Sequence, residues 1–161
     1  MAFTTADLCD IHSAENNFQI ADNLLRSYGG KSCFCGQIST VKVFEDNVLI
    51  RTVLEEKVEK RVLVVDGGGS HRCALLDIDL VKLAIYNGWE GIVIHGCIRN
   101  TEVINQLPIG IRALHSHPLK SNKKGQGDRN LVVTFAGINF KQNHFLYADN
   151  DGIIVSETML G

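Results

Sequence analysis

The run Arg61-Val62-Leu63-Val64-Val65-Asp66-Gly67-Gly68-Gly69 decides how this chain is read. Four apolar residues without alternation, bounded by charges and too short for a helix, predict a strand covered on both faces. Three glycines end it. Ala74, Ile78, Val81 and Ile85 then recur on one helical face, with Asn87-Gly88 as the stop. A second buried strand follows at Gly91-Ile92-Val93-Ile94-His95, closed by Gly96 and Cys97. Strand, glycine loop, helix and strand form a βαβ unit, whose parallel pairing puts the Gly67 loop and the Arg99 loop at one sheet edge. Open α/β sheets bind ligands outside the carboxyl ends of their strands, so Arg99 is a candidate pocket residue.

Upstream, Thr4-Thr5-Ala6-Asp7 has the form of a capped helix start, with Leu8 and Ile11 on one face. Gly29-Gly30 breaks the chain, and Gly36 to Glu45 alternates as a strand does. Asn47 is placed to cap a helix carrying Leu49, Ile50, Val53 and Leu54. Downstream, Ile109 to Leu114 reads as another strand, and Lys120 to Gly127 as a mobile polar loop. Leu131–Phe135, Phe145–Tyr147 and Ile153–Val155 read as short strands, divided by Gly137 and by the turn Asp149-Asn150-Asp151-Gly152. No repeat or linker interrupts the chain, so residues 1–161 are expected to form one domain.

A chain of 161 residues buries roughly 70% of the surface it would expose unfolded. Sixteen Lys and Arg against eighteen Asp and Glu leave a net charge of −2, which supplies no general field for nucleic acid or anionic lipid. Neither direct nucleic-acid binding nor a membrane partner is expected. The N-terminus shows no basic leader, and no stretch reaches the ~18 apolar residues that cross a bilayer, so a cytoplasmic location is expected. Cys9, Cys33, Cys35, Cys73 and Cys97 are odd in number and lack zinc-type spacing, so they read as reduced apolar fillers.

The triple glycine lacks the Lys-Ser or Lys-Thr end of a phosphate loop, and Arg72 takes the last glycine place of a Gly-x-Gly-x-x-Gly pattern. It reads as a tight turn allowing close backbone approach, with amides near a helix start that could receive a carboxylate, or as a plain connection. Arg99 has the planar fork for a bidentate carboxylate, whereas Asn100 brings a neutral carbonyl, a poorer partner for Mg²⁺ than a carboxylate. Asp77 and Asp79 suit the start of a helix. His115 and His117 have metal-ligand chemistry but no identifiable third ligand, and Cys33-Phe34-Cys35 lacks a second thiol pair.

Several blocks carry a resemblance: Gly36-Gln37-Ile38, Phe44-Glu45-Asp46-Asn47, Val62 to Ser70, Trp89-Glu90-Gly91 and Leu146-Tyr147-Ala148-Asp149-Asn150. In order and spacing, almost end to end, they resemble the RraA family of ribonuclease E regulators, itself similar to the class II metal-dependent 4-hydroxy-4-methyl-2-oxoglutarate aldolases. The resemblance implies an α/β fold like the swivelling phosphohistidine β/β/α domain, with central β-sheets flanked by helices, three chains in a homotrimer ring and pockets between neighbours. An older methyltransferase name attached to the family has no cofactor fingerprint here to support it.

The aldolases carry two adjacent glycines, twenty residues, Arg-Asp, two residues and an acid. Counted back from Arg99, the glycine pair falls on Asp77 and Ile78; Asn100 replaces the metal-binding aspartate and Val103 the last acid. Only Arg99 matches. The sequence therefore implies a non-catalytic relative with no catalytic residues, no metal and no cofactor. It would keep a vestigial anion pocket formed by Arg99, Asn100, Gly67, Gly68, Gly69 and Asp77. The expected function is inhibition of ribonuclease E through its C-terminal scaffold region, with the degradosome's DEAD-box helicase as a further partner. The rival is a divalent-metal-dependent aldolase or oxaloacetate decarboxylase, and a third reading is an α/β protein with an unrelated partner.

Overall fold

The computed structural model describes residues 2–161. Its sixteen elements run α1 (Thr5–His12), β1 (Phe18–Ile20), β2 (Arg26–Tyr28), β3 (Phe34–Lys42), α2 (Val48–Leu54), β4 (Arg61–Asp66), β5 (Ala74–Leu76), α3 (Ile78–Tyr86), β6 (Trp89–Ile98), α4 (Thr101–Ile104), β7 (Gly110–Ser116), β8 (Asp128–Arg129), β9 (Val133–Phe135), β10 (Ile138–Phe140), β11 (Phe145–Asp149) and β12 (Gly152–Ser156).

β4 lies at the centre of a mixed sheet ordered β1-β12-β11-β3-β4-β6-β7-β2, in which β3, β4, β6 and β7 run parallel. Its four middle residues are fully buried and alternate between two cores. Leu63 and Val65 join Ile92 and Ile94 of β6 under α2 and α3, while Val62 and Val64 join Val93 under the β9–β10 hairpin. Burying each such side chain contributes about 1.5–3 kcal/mol, which is why the strand needs no polar face. A third cluster seats α1 on Tyr147, Ile154 and Leu160. The single α/β domain with a mixed central sheet flanked by helices is the expected fold class.

Thr4 caps α1 as predicted, accepting from Asp7 N at 3.0 Å. Four readings change. Ala74–Leu76 is a strand rather than a helix start: β6 outruns β4, and β5 covers its extension at Cys97 and Ile98, supplying partners for backbone groups that burial would otherwise orphan. The helix begins only after Asp77, which is extended. Asn47 makes no side-chain cap; it bridges Leu75 O and Lys123 Nζ, and Asp46 Oδ1 accepts from Val48 N instead. The Lys120–Gly127 loop is tied down, since Asp46 Oδ2 accepts from Lys124 N and Gln126 N at 2.9 and 3.2 Å. Ile11 points outward from α1 at 69% exposure. Among the described residues no helix is long and apolar enough to cross a membrane.

Candidate functional site

Arg99 leaves the carboxyl end of β6, where its own N–H donates to Leu76 O at 2.9 Å. The next residue, Asn100, is left-handed (φ 59°, ψ 35°), a conformation its short polar side chain tolerates. That turn brings Asn100 Oδ1 back to the first amide of α3, accepting from Ile78 N at 3.1 Å. Asp77 caps the same helix, its Oδ1 accepting from Leu80 N at 3.0 Å, and its Oδ2 faces Arg99 Nη2 at 3.7 Å. The wall is completed by the segment after β7, where His117 N donates to Ile98 O at 2.9 Å and Arg99 Nη1 donates to Pro118 O at 3.4 Å. His117 Nδ1 accepts from Leu119 N, so the proton of the neutral ring sits on Nε2.

Arg99, Asn100 and Asp77 therefore share one corner. The glycine turn stands apart. Asp66, the end of β4, pairs with His95, three residues short of the end of β6, and β5 occupies the intervening edge. Gly68 and Gly69 adopt φ of 69° and 72°, open to glycine at little cost. Their amides are spent internally, Gly68 N on Asp66 Oδ1 and Gly69 N on His95 O. A Cβ on Gly69 would meet the His95 ring at 3.1 Å, and that ring stacks on Phe135 with centroids 5.0 Å apart. Among the described residues no hydrogen bond or ion pair links the turn to Arg99. Of the residues expected to line one pocket, Gly67 and Gly69 lie against His95 and Gly68 against Phe44, and their turn precedes a strand, not a helix N-terminus.

The donor set at Arg99 does not fit a divalent cation. Asn100 offers a neutral oxygen already bonded to Ile78, and the Asp77 carboxylate is divided between Leu80 and Arg99. Among the described residues no three His, Cys, Asp or Glu side chains gather closely enough to hold a metal ion. His115 lies beside His71 with ring centroids 6.4 Å apart, and His117 falls beyond the end of β7, so the two histidines do not share a strand face.

Arg112 escaped the sequence reading. It is 4% exposed on β7, its Nη2 donates to Ser32 O and Asp149 O at 2.7 and 3.1 Å, and its guanidinium lies 5.2 Å over the Phe34 ring. It lines a cavity of about 160 Å³ with Asp22, Asn23, Ser27 and Asn150. Burial pushes its pKa down, and the charge of Asp149 opposes that shift. An arginine inside an otherwise apolar strand pattern was the available signal.

A family model described as "RraA-like: Aldolase/RraA" matches residues 5–155. The chain belongs to the RraA-like family. A Methylococcus capsulatus protein named "Putative 4-hydroxy-4-methyl-2-oxoglutarate aldolase" is 55% identical over 160 residues, covering 99% of each chain. An Arabidopsis thaliana protein of the same name, numbered 3, is 48% identical and covers 99% of this chain and 98% of its own. Among solved structures, one from Geobacillus kaustophilus described as an S-adenosylmethionine:2-dimethylmenaquinone methyltransferase superposes with a TM-score of 0.95 at 45% identity, covering 98% of this chain and 97% of that one. The RNA-processing inhibitor RraA from Thermus thermophilis also gives 0.95 at 39% identity, covering 100% and 96%. These relatives correct the expectation of a non-enzyme: curated RraA-like proteins at 48–55% identity carry an aldolase name. The departures at positions 77, 78, 100 and 103 leave the Arg99 fork in place.

Proposed function

We propose that this RraA-like chain is a carbon–carbon lyase of the aldolase type, cleaving a 4-hydroxy-2-oxo dicarboxylate such as 4-hydroxy-4-methyl-2-oxoglutarate to release pyruvate. The observation that carries the reading is Arg99, a partly exposed guanidinium at the carboxyl end of a central parallel strand, in a chain whose relatives at about half identity bear that name. In the reaction the C4 hydroxyl loses its proton and the C3–C4 bond breaks, C4 becoming the carbonyl carbon of a second 2-oxo acid. The electron pair delocalises onto the C2 oxygen as an enolate, and C3 then takes a proton to give pyruvate. Arg99 can hold the carboxylate next to that oxygen in its planar fork, placing positive charge where negative charge develops. Because the donors present do not fit a divalent cation, no step is assigned to one.

The test is pyruvate release from that substrate by purified protein. Activity that Arg99→Ala reduces about a hundredfold supports the reading, by analogy with loss of one oxyanion donor. Release no faster than the uncatalysed rate would overturn it.

A second reading is supported by the likeness to the Thermus inhibitor over the whole chain. Here the outer surface of the protein would bind the arginine-rich, disordered scaffold region of ribonuclease E, and the degradosome's DEAD-box helicase with it. Immobilised scaffold peptide should retain the protein at low salt and release it as salt rises; no retention at low ionic strength removes this reading. The five free thiols suit a reducing compartment, and we place the protein in the cytoplasm.

A further inference from the structure

We propose that Asp77 is a built-in occupant of the carboxylate seat at Arg99, and that it sets how tightly this chain binds 2-oxo acids. The inference deepens the lyase reading and rests on its assignment of Arg99 as the carboxylate clamp.

Three observations carry it. Asp77 Oδ2 faces Arg99 Nη2 at 3.7 Å, close enough for the charges to cancel but too long for a hydrogen bond. Asp77 thus pairs with the guanidinium by charge alone, and among the described residues the one hydrogen bond from the Arg99 side chain is the 3.4 Å contact with Pro118 O. Asp77 itself is fixed from the other side. Its backbone is extended (φ −135°, ψ −178°) and its Oδ1 caps Leu80 N at 3.0 Å, so it cannot swing away without uncapping α3. Finally, Asn100 Oδ1 takes the Ile78 amide at 3.1 Å, so this helix end offers an incoming anion less than a bare helix terminus would. A ligand carboxylate approaching Arg99 thus meets a fixed negative charge across the same guanidinium, and must bind against it.

Asp77→Asn separates the two roles of the residue, because asparagine caps helices as well as aspartate does but carries no charge. Affinity for pyruvate and for oxalate, measured by titration calorimetry without added metal, should rise roughly fivefold in the variant, the size expected for a screened, partly exposed charge. The gain should shrink as salt is added and vanish when Arg99→Ala is combined with it. Asp77→Ser, which also caps, should show the same gain if Asp77→Asn proves unstable. Equal or weaker binding in these variants, or a gain that survives Arg99→Ala, overturns the proposal. Tighter binding without pyruvate release from substrate would leave it standing while sinking the lyase reading; turnover in the native protein with no gain in the variants would do the reverse.

Discussion

At residue 100 a single atom changes hands. Asparagine keeps the oxygen that accepts from Ile78 N but not the charge a hard cation prefers. Asn100→Asp is therefore expected to fold with stability within about 1 kcal/mol of the native chain, since a carboxylate can accept the same bond near a helix start. It should not by itself create a tight Mg²⁺ site, because the neighbouring Asp77 oxygens are already directed to Leu80 and Arg99; titration of the variant with Mg²⁺ checks this. Gly69 is a residue of the opposite kind, required by backbone and not by chemistry. Its φ of 72° and the 3.1 Å approach of an added Cβ to His95 predict that Gly69→Ala costs about 1–3 kcal/mol in denaturant unfolding.

Elements are held to the sheet by a few buried or half-buried carboxylates. Asp149, at the end of β11, accepts from Thr5 N at 2.7 Å and Thr5 Oγ at 2.6 Å and so pins the first turn of α1. Burial pushes its pKa up, but hydrogen bonds from Thr5, Asp151 and Gly152 outweigh it and hold the pKa below the ordinary 3.8. A carboxyl with a depressed folded pKa contributes stability that is fully present above the ordinary value and lost as pH falls through the folded one. Amide exchange over residues 5–12 should therefore accelerate as pH drops below about 3.8, once corrected for intrinsic rates, and Asp149→Asn should show faster exchange already at neutral pH. Asp46 does the same for the loop at 120–127. Its Oδ2 accepts from Lys124 N and Gln126 N, so Asp46→Ala should open that loop to tryptic cleavage at Lys123 and Lys124.

On the scale of the whole molecule, the parallel core β3-β4-β6-β7 is sealed on both faces, while several large apolar side chains remain outside. Tyr86, the last residue of α3, is 80% exposed, and Val103 on α4 and Leu119 after β7 are 49% and 58% exposed. A ring of three subunits is the assembly expected from the family resemblance, and sedimentation should give three times the monomer mass of 17.8 kDa. A monomer at micromolar concentration would rule that assembly out.

The buried strands β4 and β6, the N-cap of α1, the turn at Asp149–Gly152 and the family itself were all legible in the sequence. Each rests on residues near one another in the chain: apolar runs with no polar face, a capping threonine, glycines at a bend. The family resemblance puts Arg99, Asn100 and Asp77 in one pocket, but the contacts that join them were not legible, because these residues lie about twenty-two positions apart and meet only through the left-handed turn at Asn100 and the capped start of α3. The conversion of Ala74–Leu76 to strand, the separation of the glycine turn from Arg99 and the burial of Arg112 were decided the same way. In each case the unpaired edge of β6 or the crowded interior set a demand that no local pattern encodes, since a backbone group or a charge removed from water takes whatever partner the finished fold brings within reach.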